Sequence, residues 1–270
     1  MKNFQRKRES VPALNPDQLR QSYFLDNDIS FINFCDLTQK DSLEILRWRN
    51  NPQVRKHMYQ VDEISEAEHL SFIKHLPNQQ KRFYWVVKEN EKALGVIDIV
   101  DYHQDKSEWG FYLNPDYFGQ GLSINLLFHS LNFFFKTLKF IGLYGYCHYK
   151  NTKGLLFHDL FDIRHIDYEQ IQTKDNLSWY SKRVITGKNW ILQNNNIESI
   201  KARKIMQKQF YQITCKRLEL DQIILEEFGQ SPKDFHLWKT SNSNLQYEKL
   251  SHHLKEIFTD SIKAKIPLRA

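Results

Sequence analysis

Glu108-Trp109-Gly110-Phe111-Tyr112-Leu113-Asn114-Pro115-Asp116-Tyr117-Phe118-Gly119-Gln120-Gly121-Leu122-Ser123 runs from an aromatic strand-forming segment, through a proline stop and a two-glycine turn, into an apolar helix that continues to about Thr137. A strand, a glycine turn and a helix start together form a recipe for holding pyrophosphate. Glycine lets the backbone approach, and the free amides of the first helical turn point at the anion. Taken alone, the turn reads equally well as a bend that needs glycine conformations. A third glycine at dinucleotide-fingerprint spacing is missing and no Gly-Lys-Ser/Thr follows, so the Rossmann and Walker A readings fail.

Upstream, residues 29–34 alternate like a strand, and Asp36, Leu37 and Thr38 open a helix that reaches about Arg49. Asn50, Asn51 and Pro52 break it. Ser65, with Glu68 three residues on, is a capping box that opens a second helix. Strand-like runs at 83–88, 94–101 and 108–113 read as an antiparallel meander. Downstream come a strand at 142–149, a helix from Asn151 or Thr152, and strands at 163–171 and 179–185. The order predicts an α/β (α+β) sheet domain, mixed and mostly antiparallel, flanked by helices. The expected organisation is a lead-in over 1–27, one domain over 28–190 and a helical extension over 191–270. That extension follows a polar linker, Asn194 to Asn196, and carries apolar helical periodicity at Ile205, Phe210, Leu218 and Ile224. Its apolar face points to assembly, as a homodimer or with a partner, and suggests that the extension is dispensable for chemistry.

With 270 residues, 41% hydrophobic and 14% aromatic, the chain can bury a sizeable core. The opening residues are basic but lack an apolar segment of signal length, and no run reaches the roughly 18 to 20 apolar residues of a membrane helix. Cys35, Cys147 and Cys215 are odd in number and lack CxxC spacing, which argues against disulfides and a metal site and fits the cytoplasm. The net charge of +6 is spread over scattered lysines without a nucleic-acid-binding signature. It suits an anionic small molecule better than nucleic acid.

Asp116 to Gly121 resembles motif A of the GNAT acetyltransferases: the two glycines agree, whereas Asp116 stands where a basic or amide residue is usual. An aspartate beside pyrophosphate has to point away. The stretch Trp48-Arg49-Asn50-Asn51-Pro52-Gln53-Val54-Arg55, then Met58-Tyr59, Ile64-Ser65, Glu68-His69-Leu70, Glu108 to Tyr112 and Asn151, is similar to the GNAT enzymes of pseudaminic acid synthesis. The resemblance covers about 29–190. It implies a GNAT fold that uses acetyl-CoA, without a metal, to acetylate the 4-amino group of UDP-4-amino-4,6-dideoxy-N-acetyl-β-L-altrosamine. It implies that Phe111, Tyr112 and Leu113 pair with pantetheine, that Gly119, Gln120, Gly121, Leu122 and Ser123 cradle the pyrophosphate, and that Asn151 helps hold the cofactor. Met58, Tyr59, Phe72 and Tyr112 match positions lining the sugar-nucleotide pocket. Phe72 is equally the expected core residue of its helix. Arg49 is a candidate for the diphosphate or uracil, or for a surface ion pair.

Direct transfer needs a neutral amine, a donor for the oxyanion and a proton for the thiolate. Alternation places Glu108 on the face of Gly110 and Tyr112, unless a bulge intervenes, which makes it the candidate base; Asp98 is a second carboxylate within a strand. The family's acid is a tyrosine, and the matching position here is His158, which could donate a proton near neutral pH. Two other readings share the fold: a GNAT enzyme acting on protein or peptide amines, and a silent GNAT domain that binds a ligand or partner.

Overall fold

Period-two alternation builds an antiparallel meander, because each strand buries every second residue and turns back at a polar tip. The computed structural model describes residues 14–25, 28–103, 105–174, 177–192, 196–209, 211–229 and 231–232. Residues 1–13 of the expected lead-in, Asn194 and Asn195 of the linker, Phe210, and the extension beyond 232 lie outside them. The described chain divides into two units, one of residues 14–55, 62–143 and 186–192 and the other of 56–61, 144–185 and 196–232.

In the first unit, β1 (Tyr23–Leu25), β2 (Ile29–Asn33), β3 (Phe83–Glu89), β4 (Lys92–Asp101) and β5 (Ser107–Leu113) pair in that order, each antiparallel to the next. Asn90 and Glu91, both at positive φ, make the two-residue β3–β4 turn, whose twist suits the flanking strands. A short helix, α1 (Pro16–Leu19), precedes β1 and buries Leu19 completely. Within the lead-in expected through residue 27, α1 therefore packs Leu19 into the core and Tyr23–Leu25 pairs with β2.

One face of this sheet is covered by α2 (Gln39–Asn50) and α4 (Glu66–His75), with α3 (Pro52–Arg55) against α2. Thr38 caps α2, and Ser65 and Glu68 form the reciprocal box that opens α4, as the sequence predicts. Phe34, Ile45, Trp48, Leu76, Val86 and Val96 make the core there. The opposite face carries α5 (Ser123–Asn132), which passes into a π turn at Phe133–Thr137 closed by the Leu138 N–H on the Phe133 carbonyl at 2.9 Å. Three consecutive phenylalanines cannot share one face of a straight α-helix. The wider turn lets Phe133, Phe134 and Phe135 all be buried, Phe133 stacking on Phe31 at 3.9 Å and meeting Trp85 edge-on. A short α7 (Gly187–Leu192) returns to this unit, with the Trp190 indole donating to Asn132 Oδ1 at 3.0 Å.

The second unit contains β6 (Gly142–His148) from Tyr144 on, α6 (Thr152–Leu160), β7 (Arg164–Gln172) and β8 (Leu177–Thr186) up to Ile185, with strand order β6-β8-β7. To these it adds α8 (Ile197–Gln209) and α9 (Tyr211–Phe228). Leu218 packs with Cys147, Leu155 and Leu156, and Leu225 with Tyr149 and Tyr168. Tyr149 Oη donates to Glu226 at 2.7 Å, and Tyr168 Oη to Asp221 at 2.9 Å. Of the apolar periodicity expected in the extension, Leu218 and Ile224 are buried in the unit that holds α6, Ile205 stays exposed, and Phe210 lies outside the described residues. No helix among the described residues is long and apolar enough to cross a membrane.

Removing α8 and α9 would bare Cys147, Leu155, Leu156 and Tyr149. A chain ending at Leu192 should lose the second unit's cooperative unfolding, whereas Leu218→Ala in the full chain should cost about 2–5 kcal/mol, the usual range for a buried leucine. Urea denaturation followed by tyrosine and tryptophan emission checks both.

Candidate active site

Asn114 stops β5 by accepting the Asp116 N–H on Oδ1 (3.0 Å) while Nδ2 donates to the Ala93 carbonyl (3.0 Å). Pro115 then begins a 3-10 turn that delivers the chain to Gly119 and Gly121, both at φ +79. Apart from the adjoining residues of the chain, no atom of the described residues lies within 4 Å of where a Cβ would stand at either glycine. The amides of Gly119, Gly121, Leu122 and Ser123 have no acceptor among the described residues, and no side chain caps α5. An exposed loop with free amides and left-handed glycines at the positive end of a ten-residue helix has the physical features that suit an anion.

Asp116 does point away from it. Arg47 of α2 grips its carboxylate at two points, Nη1 to Oδ1 at 3.1 Å and Nη2 to Oδ2 at 2.6 Å, and also holds Glu44. This clamp keeps the Asp116 carboxyl below its ordinary pKa and offsets the negative charge beside the loop. Nothing in the sequence spacing indicated that Arg47 rather than Arg49 would meet Asp116, since the pair is 69 residues apart.

Arg49, expected at a ligand phosphate or in a surface ion pair, turns inward from α2. Burial lowers its pKa, while Tyr112, Asp98 and Tyr84 favour its charge and Arg55 opposes it. Tyr112, Asp98 and Tyr84 share one sheet face. Tyr84 lies directly across from Asp98, and Asp98 directly across from Gly110; in the next row Val86, Val96 and Tyr112 align. The register shift at this end adds Val100 to β4, so alternation along β5 is unbroken and Glu108, Gly110 and Tyr112 stay on one side. Phe72 meets Tyr84 edge-on at 5.2 Å and packs on the Val86 and Val96 core, which Tyr112 also joins. Phe111 faces the other way, stacked on Trp109 at 5.5 Å. Both phenols on this face, Tyr84 and Tyr112, are raised by burial and stay protonated. Tyr84 was not singled out in the sequence; it reads there as one more strand aromatic.

The second unit holds the other expected residues. Asn151 caps α6, its Oδ1 accepting the Gly154 N–H at 3.0 Å. Met58 is half-buried, and Tyr59, exposed, meets the Tyr180 ring at 5.3 Å. Beside Tyr180 sits His148, 5.2 Å away edge-on and bonded through Nε2 to Ser178 Oγ at 2.9 Å. Cys147 is buried and its thiol is pushed up to about 12, so it holds no thiolate to serve as nucleophile. His158 is buried too. Arg183, which donates to the Leu155 carbonyl and to Asp159, lies close to it, and burial first and Arg183 second push its pKa down to about 3. The imidazole is thereby held neutral at physiological pH, well below the range in which the sequence reading has His158 donate a proton.

Several comparisons bear on these features. Residues 32–155 match the acetyltransferase (GNAT) domain family. The acetyltransferase PseH of Campylobacter jejuni is 32% identical over 127 residues, 47% of this chain and 79% of that protein. The crystal structure of Campylobacter jejuni PseH in complex with acetyl coenzyme A is 23% identical with a TM-score of 0.43, covering 58% of this chain and 98% of that one. Spermidine N-acetyltransferase from Vibrio cholerae, solved with CoA and spermine, is 15% identical with a TM-score of 0.53, covering 60% and 98%. That likeness shows the fold alone.

The depressed His158 gives a signed pH effect. Between its ordinary value of 6.5 and about 3, the unfolded chain takes up a proton that the folded chain refuses, so stability falls as pH drops through that window. The share from His158 approaches about a tenfold change in folding constant per pH unit. His158→Leu should lose less stability than wild type between neutral and mildly acid pH, which paired urea titrations will show.

Proposed function

The chain belongs to the GNAT acetyltransferases and, within them, to the group of PseH, and on the premise that it is an N-acetyltransferase we propose its two substrates. Acetyl-CoA gives the acetyl group, and the 4-amino group of a nucleotide-linked amino sugar receives it, UDP-4-amino-4,6-dideoxy-N-acetyl-altrosamine in pseudaminic acid synthesis being the expected acceptor. The observation that carries this reading is the open glycine turn within the segment that matches the family.

The chemistry follows from the residues at hand. The free amides of Gly119, Gly121, Leu122 and Ser123 and the α5 dipole meet the pyrophosphate of coenzyme A, with Arg47 masking Asp116. Backbone groups of Phe111 to Leu113 are the proposed partners of pantetheine, and Tyr112 and Phe72 offer an apolar and phenolic surface suited to a deoxysugar. Arg49 is proposed to fix Tyr112 and the sheet-face charges rather than a ligand phosphate. Met58, Tyr59 and Asn151 retain the ligand roles that the family resemblance gives them. The neutral amine attacks the thioester carbonyl, the C–S bond breaks, and the thiolate takes a proton. A thiol with an ordinary pKa of about 8.5 leaves without a strong acid, so a neutral His158 is compatible with turnover. Glu108, on the face of Tyr112, is the sequence-derived candidate to receive the amine's proton.

A panel of nucleotide amino sugars, with an N-terminal peptide and spermidine as other amines, assayed with acetyl-CoA for thiol release and product mass, tests the assignment. The 4-amino sugar should be acetylated at least about 100-fold more efficiently, a difference of about 2.7 kcal/mol in transition-state binding. Preference for the peptide would overturn it. Gly121→Val places a branched side chain in the cradle at a backbone angle that disfavours it, and should weaken acetyl-CoA binding about tenfold or more by calorimetry while the protein stays folded.

A further inference from the structure

Asp98 is a carboxylate placed inside a sheet face, met by the Gly110 N–H but with one oxygen left over. It projects from β4 over Gly110, and a Cβ at Gly110 would come within 2.8 Å of Oδ1, so the absent side chain is what makes room for the carboxyl. Its Oδ1 is buried and has no hydrogen-bond partner among the described residues. An unmade bond at a buried acceptor costs about 1–3 kcal/mol, so its retention calls for a use. The groups facing it are Glu108 from β5, Tyr84 across from it on β3, Tyr112 on β5, Arg82 ahead of β3 and Arg49 from α2. His69 of α4 lies within the field of Arg49 and is held to the Ser42 carbonyl at 2.9 Å.

We infer that Asp98 takes the proton from the acceptor amine and that Glu108, its half-exposed neighbour, passes that proton to water. The inference rests on the acetyl-transfer reading above. The substrate arrives as R–NH3⁺; one proton moves to the Asp98 carboxylate and leaves R–NH2. The nitrogen lone pair forms the C–N bond at the thioester carbonyl. Collapse of the tetrahedral adduct breaks the C–S bond, the nitrogen gives up a second proton, and the thiolate gains one. The sum is R–NH3⁺ plus acetyl-CoA giving the amide, free coenzyme A and one proton, which leaves through Glu108. Burial first and Glu108 second raise the Asp98 carboxyl to about 7, with the Gly110 N–H, Arg49 and Arg82 pulling the other way. A base with that value both accepts and releases a proton near neutral pH. Glu108 alone, at the half-exposed strand start, lacks that enclosure.

The test compares full-length wild type with Asp98→Asn and Glu108→Gln, using an amino sugar that wild type acetylates. Failure of wild type on every sugar sinks the substrate reading and is distinct from the outcomes that follow. For wild type, kcat/KM should rise with pH through about 7. In Asp98→Asn it should fall by about 100-fold at pH 7, with acetyl-CoA affinity unchanged, and recover as pH rises and the amine loses its proton unaided. Glu108→Gln removes a like charge, so the wild-type limb should move to lower pH. An unchanged rate and pH profile in Asp98→Asn overturns the assignment. Carboxyl carbon NMR of wild type covers the case in which that variant does not fold: an Asp98 midpoint near 7 supports the role, and one in the ordinary range near 4 refutes it.

Discussion

The register of β3, β4 and β5 is the constraint on which the first unit depends. Side-chain direction has a period of two, so a slip of one residue in either pairing would turn one strand over against its neighbour, separating Tyr84 from Asp98 or Asp98 from Gly110 onto opposite faces. Both faces guard against that. Phe31, Phe133, Phe134, Trp85 and Trp109 interlock on one, and Trp48, Val86 and Val96 pack on the other. The polar row is thereby held in place by apolar packing around it, and side chains that would otherwise seek water stay enclosed.

Much of this organisation was written locally. The alternation in 83–88, 94–101 and 108–113 gave the meander, and Ser65 with Glu68 gave the helix start, because strands and caps depend on neighbours two to four residues away. The glycine turn was legible for the same reason. What stayed hidden depends on distant pairs. The Arg47 clamp on Asp116, the inward turn of Arg49 and the enclosure of Asp98 and His158 all follow from which elements pack together, and composition carries no trace of that. In the extension after residue 190 the apolar periodicity marked Leu218 for burial, but which surface it meets, Cys147 of β6 with Leu155 and Leu156 of α6, depends on a distant pairing.

Electrostatics in the two units run in opposite directions. At the glycine turn a carboxylate is neutralised by an exposed guanidinium, which costs little and leaves amide dipoles as the dominant field. On the sheet face, a carboxylate, a guanidinium and two phenols sit in low dielectric, where each changes the others' proton affinity. In the second unit Arg183 and Asp159 neutralise each other deep inside, and His158 answers by remaining uncharged.

The return of α7 to the first unit has a consequence for synthesis. Trp190 is almost fully buried, contacts Phe128 and bonds Asn132, yet it follows β7 and β8 in the chain. At the usual elongation rate of about 5–20 residues per second, the sheet and α5 emerge several seconds before the residue that completes their core. The first unit therefore waits on the ribosome with its α5 flank unsealed, and the order of translation sets when its last tryptophan docks.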